Sequence, residues 1–278
     1  MRRRPLLLVL AAGGAPAGPA PFVYPQHDPG RQPAWRYLVE LLRLAVDRSG
    51  TGYEFVESGE AMTQARVIRE IAGSSGRLDL AWTMTSTMRE TQMLPVRVPV
   101  DRGLIGHRIA FVRREHAERW AGLRSLSDLR SYTAGQGHDC PDTEILRANG
   151  PPVQGATRYE LPFDMLRRGR IDYFPRAVFE IDDEVSRALA RDLVVEPHVL
   201  IRYFAASYLF VRRDRPALAA DLEAAAADGS FQRLFQRYFG DLIARHRLAQ
   251  RTQVRRNNPL LPAATPLDKP AYWLVLGG

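Results

Sequence analysis

The sequence predicts an α/β protein with two lobes, each a mostly parallel sheet flanked by helices. Short apolar strands alternate with amphipathic helices along most of the chain, which is typical of parallel sheets covered by helices. Two long extended segments, 94–115 and 194–214, interrupt this alternation and enclose a further α/β unit. This pattern is typical of a chain that leaves one lobe, forms a second lobe and returns to the first. We expect a ligand-binding cleft between the two lobes, which ligand binding would close by a hinge motion.

In the first lobe the elements follow one another in a regular order. "PFVY" is a strand, and "PAWRYLVELLRLAVDRSG" is an amphipathic helix that Gly50 ends. "YEFVES" is a strand, "AMTQARVIREIAG" is a helix closed by Gly73, and "LDLAW" is a strand. We predict that residues 21–104 and 203–278 form lobe 1.

The second lobe lies between the two extended segments, and we predict that it spans residues 105–202. "SLSDLRSYTAGQGHDCPDTEILRANG" indicates a strand, a glycine-rich turn and a helix. "YELPFDMLRRGRIDYF" adds a helix and a strand, and "VFEIDDEVSRALA" adds a helix. After the second extended segment the chain returns through helices at "PALAADLEAAAADG" and "SFQRLFQRYFG". A proline-rich tail follows, for which we expect no regular structure.

Composition and charge exclude several classes of protein. The chain has 278 residues, of which 45% are hydrophobic and 25% charged, and its formal net charge is +8. The arginines are scattered among acids and accompany no nucleic-acid-binding motif, so we expect no nucleic-acid partner. Cys140 is the single cysteine, so no intramolecular disulfide can form. The six histidines show no metal-binding spacing, and we expect neither a metal nor a cofactor.

The N-terminus has the pattern of a cleaved secretory signal. "MRRRPLLLVLAAGGAPAGPAPF" combines a basic start, a short apolar run and small residues. The apolar run is much shorter than the roughly 20 residues of a membrane span. We therefore predict a signal peptide over residues 1–20 and a periplasmic or secreted protein.

The chain resembles the type II periplasmic solute-binding proteins of the amino-acid-binding family, the receptors of ABC importers. The resemblance rests on "GRLDLAWTMTSTMRE", "VPVDRGLIGHRIAFVRR", "SLSDLRSYTAGQGHDCPDTEIL", "MLRRGRIDYF" and "YLFVRRDRPALAADLEAAAADGSFQRLFQRYFG". It covers most of the chain after the signal. It implies a two-lobed binding protein without catalytic activity and with two hinge crossovers.

The resemblance implies that Arg89 holds a ligand carboxylate. A guanidinium offers a fixed fork to two carboxylate oxygens, and the hydroxyls of Thr85, Ser86 and Thr87 can share the remaining lone pairs. The alternative is a surface arginine that pairs with Glu90 or with an acid of the other lobe. The hydroxyl-rich end of the strand is one wall of the predicted cleft.

The loop "GQGHDCPDTE" is the other wall of the predicted cleft. Its candidate ligand contacts are Gln136, His138 and Asp139, while Gly135 and Gly137 would let the backbone approach a ligand. His138 and Asp139 depart from the family pattern and could instead form a local pair that orders the loop. Cys140 fits a small buried residue better than a nucleophile, because no base is adjacent to it.

The sharpest departure from the family lies in "RIDYFPRAVFEI". An acid that pairs with the ligand ammonium is common in the family near the position of Ala177, where this chain has Arg176 beside it. Glu180, one turn later, is a possible substitute. Arg89 and Arg176 would favour an anionic ligand if both faced the cleft, whereas Arg176 could also be a solvated residue at a helix start.

Aromatic residues are candidates for the apolar walls of the cleft. Trp82 lies at a strand end and Tyr24 near another, with Tyr173 and Phe174 as further candidates. At strand positions such residues also serve as core.

The function predicted from these features is capture of a small polar, carboxylate-bearing ligand for an ABC-type importer. A membrane permease or sensor is the expected partner, and by analogy we expect a monomer. The alternatives are a ligand sensor for a membrane kinase, a periplasmic dehydratase-like enzyme of the same fold, and a receptor-like protein that no longer binds small molecules.

Overall fold

Strands and helices alternate along the chain as the hydrophobic periodicity predicts. The computed structural model describes residues 21–26, 32–50, 52–73, 76–225 and 229–277, so the predicted signal segment lies outside the described residues. The strands are β1 (Phe22–Tyr24), β2 (Phe55–Glu57), β3 (Leu80–Met84), β4 (Leu94–Val96), β5 (His107–Arg113), β6 (Ala134–Gly137), β7 (Val153–Ala156), β8 (Phe174–Ala177), β9 (Leu193–Val195), β10 (Val199–Arg202), β11 (Ser207–Val211) and β12 (Thr252–Arg255). The helices are α1 (Gln32–Ser49), α2 (Gln64–Ala72), α3 (Thr87–Gln92), α4 (Leu126–Leu129), α5 (Pro141–Ala148), α6 (Leu161–Arg167), α7 (Val178–Ser186), α8 (Pro216–Ala225) and α9 (Ser230–Arg245).

The first body consists of the sheet formed by β3, β4 and β11 and of the strand pair β1–β2. β11 lies between β3 and β4 and is antiparallel to both. β1 and β2 are parallel to each other, and the carboxylate of Asp79 accepts a hydrogen bond from the Val23 amide at 2.9 Å, which attaches β1 to the start of β3. Helices α1, α8 and α9 cover this body with apolar side chains that include Leu41, Leu42 and Phe235.

The second body is built on β5. β8, β9 and β10 are antiparallel to β5, while β12 is parallel to β10. β6 and β7 form a parallel pair that a bridge between Ala134 and Tyr173 joins to the strand leading into β8. The predicted α/β fold class is confirmed, but the sheets are mixed where mostly parallel pairing was predicted. The segment 203–278, predicted for lobe 1, contains β12 and therefore also contributes to this second sheet.

Residues 97–106 and 203–206 connect the two bodies, and buried hydrogen bonds hold the two connections together. The Asp101 carboxylate accepts from the amides of Gly103 at 3.2 Å, Ile105 at 2.8 Å and Ser207 at 3.4 Å. The Tyr203 amide donates to the Gly106 carbonyl at 3.1 Å. A Cβ on Gly106 would lie 2.1 Å from the Tyr203 carbonyl oxygen, so only glycine fits where the connections cross. We propose these connections as the hinge between the predicted lobes.

The helix ends near the candidate site use the expected capping residues. Ser86 caps α3 by accepting from the Arg89 amide at 3.3 Å, and Pro141 takes the first position of α5, where its missing N–H costs nothing. Gly73 closes α2 as predicted. In the part of the chain that the structure describes, no helix is both long and apolar enough to cross a bilayer.

Candidate ligand-binding site

Arg89 lies in the first turn of α3, directly after the hydroxyl-rich end of β3. One terminal nitrogen, Nη1, donates to the Thr83 hydroxyl at 2.8 Å and to the Met84 carbonyl at 2.5 Å. Among the described residues, no carboxylate forms an ion pair with Arg89. Burial lowers the pKa of the Arg89 guanidinium, and the nearby Cys140 thiol opposes this shift. Arg89 is thus a partly buried cation bonded to neutral oxygens and located beside the loop that precedes α5.

Several hydroxyl groups around Arg89 already form hydrogen bonds within the protein. The Thr85 hydroxyl donates to Glu90 at 2.8 Å, and Glu90 also pairs with Arg97 at 2.5 Å. The alternative that Arg89 pairs with Glu90 is therefore not what the structure shows. The Ser86 hydroxyl caps α3, as described above, and remains able to donate. The amides of Thr85 and Thr87 donate to the carbonyls of Ala206 and Leu260.

The facing loop between β6 and α5 is ordered by its own hydrogen bonds. Gln136 is buried, with its Nε2 donating to the Pro175 carbonyl at 3.4 Å and its Oε1 accepting from the Gly137 amide at 3.0 Å. The Thr143 hydroxyl donates to the Gly137 carbonyl at 2.7 Å. A Cβ on Gly135 would lie 2.2 Å from the side chain of Ile171, so core packing explains this glycine without a ligand.

His138 and Asp139 lie at the exposed tip of this loop. The Asp139 side chain is 98% exposed, and its Oδ1 lies 3.8 Å from Nε2 of His138. This arrangement matches the local pair that the sequence left open. His138 and Asp139 are therefore exposed to solvent and are not buried beside Arg89.

A buried polar cluster that the sequence interpretation did not assign lies beneath the loop. Arg108 on β5 pairs with Asp142 in the first turn of α5, with 2.7 Å between Nη2 and Oδ1. The Tyr203 hydroxyl, from the second connection, donates to the same carboxylate oxygen, and the Cys140 thiol donates to the other at 2.9 Å. Both carboxylate oxygens of Asp142 are engaged in this cluster, and its side chain does not cap α5. The sequence did not indicate a site role for Arg108, because its partner Asp142 lies far from it along the chain.

The structure corrects the expectation that Arg176 is a second cleft cation. Its Nε lies 2.6 Å from Glu184 and its Nη2 lies 2.8 Å from Glu180, both on α7, and its side chain is only 8% exposed. Burial by itself lowers the pKa of Arg176, but the two carboxylates outweigh burial and the pKa is raised. The charge of Arg176 is thus balanced inside the protein, because two acids follow it at one-turn intervals.

Glu180 joins the two buried ion pairs. One carboxylate oxygen accepts from the Ala177 amide at 3.0 Å and lies 3.5 Å from Arg108, while the other contacts Arg176. The Glu180 side chain is 22% exposed, so part of it reaches solvent. Glu184 is fully buried, and burial raises its pKa although Arg176 opposes the shift.

Two of the predicted wall residues, Trp82 and Tyr24, lie in the first body. Trp82 packs on Trp35 with ring centroids 4.4 Å apart, and the ring of Tyr24 also contacts Trp35, with centroids 5.6 Å apart. Tyr24 is 8% exposed and belongs to the core, while Trp82 is only partly buried. Tyr173 and Phe174 are also core residues.

The arrangement offers more for binding than for catalysis. Burial raises the pKa of the Cys140 thiol far above its usual range, so the thiol stays protonated and is a poor nucleophile. Within the described residues, no group of three histidine, cysteine or acidic side chains is placed to hold a metal ion. Arg89, together with the Ser86 hydroxyl, is chemically suited to a carboxylate.

Comparisons with known proteins found likeness in structure alone. No family model and no curated protein matches the chain. A probable amino-acid ABC transporter extracellular-binding protein from Bacillus subtilis has a TM-score of 0.56 at 17% identity, covering 74% of this chain and 88% of that one. A histidine kinase sensor domain with similarity to periplasmic binding proteins has a TM-score of 0.55 at 19% identity, covering 80% and 96%.

An ancestral arginine-binding protein bound to arginine is also similar, with a TM-score of 0.53 at 15% identity, covering 73% of this chain and 88% of that one. At identities this low the likeness defines the fold and leaves the ligand open. The chain therefore has the fold of the type II periplasmic solute-binding proteins, among structural neighbours that include amino-acid-binding proteins.

Proposed function

We propose that this protein is an extracytoplasmic solute-binding protein that holds a small polar, carboxylate-bearing ligand between its lobes and delivers it to an ABC-type importer. The observation that carries the proposal is the state of Arg89. A partly buried guanidinium without a carboxylate partner loses hydration and gains no ion pair in return. A ligand carboxylate would supply that pair, with a second wall provided by the loop at Cys140.

The balance of charge changes the class of ligand that we propose. The sequence favoured an anion because it supplied two candidate cleft cations, but Arg176 is neutralised by Glu180 and Glu184. Arg108 is likewise paired with Asp142. The proposal is thus supported by Arg89. This cation specifies one carboxylate group of the ligand and leaves the rest of the ligand open.

A thermal-shift screen of amino acids, dicarboxylates, polyamines and small peptides tests the proposal. A ligand at 100 times its Kd adds about 2.7 kcal/mol to the free energy of unfolding, which raises the melting temperature by several degrees. We expect a carboxylate-bearing compound to give this shift and Arg89→Ala to abolish it.

Arg213→Ala is the matched control for this experiment. Arg213 is an exposed arginine that follows β11 and contacts the last turn of α3. It donates to the carbonyls of Glu90 at 2.8 Å and Thr91 at 2.6 Å. The Arg213→Ala protein should keep the full ligand shift. An Arg89→Ala protein with unchanged affinity would contradict the carboxylate role, and a panel without any shift would contradict the binding function.

A ligand sensor for a membrane kinase is the second candidate, favoured by the likeness to a histidine kinase sensor domain. Both candidates bind the same ligand and differ in the membrane protein that receives the closed form. Crosslinking of the ligand-loaded protein to membranes of its own cell would identify either permease subunits or a kinase. Incubation with each binding compound separates both from a dehydratase-like enzyme, since a binding protein saturates without forming product.

A further inference from the structure

The segment Asn257–Leu260, here called the strap, runs from the end of α5 to the start of α3. It follows β12, which pairs with β10 in the second sheet. It ends beside α3, the helix that carries Arg89. The strap is thus a third link between the two bodies of the protein, in addition to residues 97–106 and 203–206.

The strap is attached first to the end of α5. The Asn149 side chain, 8% exposed, donates from Nδ2 to the Asn257 carbonyl at 2.8 Å and accepts on Oδ1 from the Asn257 amide at 3.0 Å. The same Nδ2 also donates to the Ile145 carbonyl at 2.7 Å. One buried amide therefore satisfies both the last turn of α5 and the backbone of the strap.

The strap is next attached to the hinge. The Asn258 side chain donates to the Phe204 carbonyl in the second connection at 2.8 Å, and its Oδ1 accepts from the Leu260 amide at 3.0 Å. These two bonds fix the turn of the strap against the residues that join the lobes. The Leu260 side chain packs against the apolar cluster that contains Tyr203 and Met84.

The strap finally reaches the start of α3. The Leu260 carbonyl accepts from the Thr87 amide at 3.1 Å, the first amide of the helix. Two residues later Arg89 donates to Thr83 and Met84. The start of α3, in the first body, is thus bonded to a segment that is anchored on α5 in the second body.

We infer that the strap is a positioning element, which couples the end of α5 to the start of α3 and thereby holds Arg89 in place. This inference rests on the proposed function, because holding Arg89 in place serves binding only if Arg89 contacts a ligand. The coupling itself is a property of the ligand-free protein. A change at Asn149, in the second body, should loosen α3 in the first.

Amide hydrogen exchange of the ligand-free protein tests the coupling. Asn149→Ala removes both bonds to Asn257, and Asn258→Ala, at a half-buried position, removes the bonds to Phe204 and Leu260. We expect each to speed exchange in the peptide 84–93 by roughly fivefold, the factor for one net hydrogen bond. Exchange in α1 and α2 should be unchanged, which distinguishes local loosening from global unfolding.

Ser125→Ala is the control for a loss of stability in the same body. Ser125 caps α4 by accepting from the Asp128 amide at 3.4 Å and takes no part in the hydrogen bonds that anchor the strap. It should leave exchange in 84–93 unchanged. The inference is overturned if Asn149→Ala and Asn258→Ala leave α3 exchange as in the wild type, or if Ser125→Ala accelerates it equally. No ligand is used, so failure of the binding function and failure of the coupling give different results.

Discussion

Arg89 and Arg176 occupy similar places, each at the junction of a strand and a helix, and the protein uses them in opposite ways. Arg176 is buried between two carboxylates of α7 and stacks on Phe174 and Tyr159, with its guanidinium carbon 5.1 and 5.6 Å from the ring centroids. Among the described residues, the hydrogen-bond partners of Arg89 are neutral oxygens. The comparison shows that arginines at two strand–helix junctions differ in whether the fold supplies a counter-charge, and under the proposed function the one without a counter-charge is the one that meets the ligand.

The two regions should therefore differ in what a substitution costs. A buried charge that loses its partner remains desolvated and uncompensated, so breaking such a pair is expensive. Replacing a partly buried cation that is bonded to neutral groups costs only the modest net free energy of its hydrogen bonds. Substitutions around Arg176 should reduce stability, whereas substitutions of Arg89 should affect ligand binding.

The largest effect is expected for Glu184→Ala. It leaves Arg176 with Glu180 alone and leaves the Tyr159 hydroxyl without its acceptor at 2.5 Å. We expect a loss of about 3–5 kcal/mol in the free energy of unfolding, measured by urea denaturation. Arg176→Met combined with Glu184→Met should recover much of this loss, because both charges are then gone. A loss below about 1 kcal/mol would show that the pair is not structural.

The next largest effect concerns His107 at the start of β5, a buried ionisable group that is held neutral. It is 3% exposed, and Nδ1 donates to the Gly103 carbonyl at 3.0 Å. Burial, assisted by Arg202, lowers the pKa of His107 from 6.5 to about 4. Because the folded pKa lies below the unfolded one, the stabilisation is complete above pH 6.5 and is lost as the pH falls towards 4.

Urea denaturation between pH 7 and pH 4 measures this contribution of His107. The wild type should lose on the order of 2–3 kcal/mol from this residue across the window. His107→Asn should be less stable at pH 7 but should show a correspondingly shallower loss. Parallel pH profiles for the two proteins would mean that the histidine does not titrate as described, since all other groups are common to both.

The sequence predicted the elements well because their signals are local. The helix over Gln32–Ser49, the closure of α2 by Gly73 and the strand before Arg89 follow from periodicity and capping residues. The pairing of Arg176 was also within reach, since Glu180 and Glu184 follow at i+4 and i+8, spacings that place side chains on one face of a helix.

Other parts of the candidate site could not be predicted because their partners are distant in sequence. Arg108 and Asp142 are 34 positions apart, and Asn149 bonds to Asn257 across 108 positions. The sequence of the strap belongs to the proline-rich tail, for which no regular structure was predicted. Only the three-dimensional path of the chain brings the strap to α3. The roles of Arg89 and the other predicted site residues remain predictions until a ligand is found.

The smallest effect is expected for Arg89→Ala in the absence of ligand. The substitution removes the bonds of Nη1 to Thr83 and Met84, but it also relieves the desolvation of an unpaired cation. These contributions oppose each other, so the free energy of unfolding should change by no more than about 1 kcal/mol in urea denaturation. A loss above about 2 kcal/mol would make Arg89 a structural residue like Arg176. A stable Arg89→Ala protein that no longer responds to ligand would instead show that the two arginines are separated by role, one for the fold and one for the ligand.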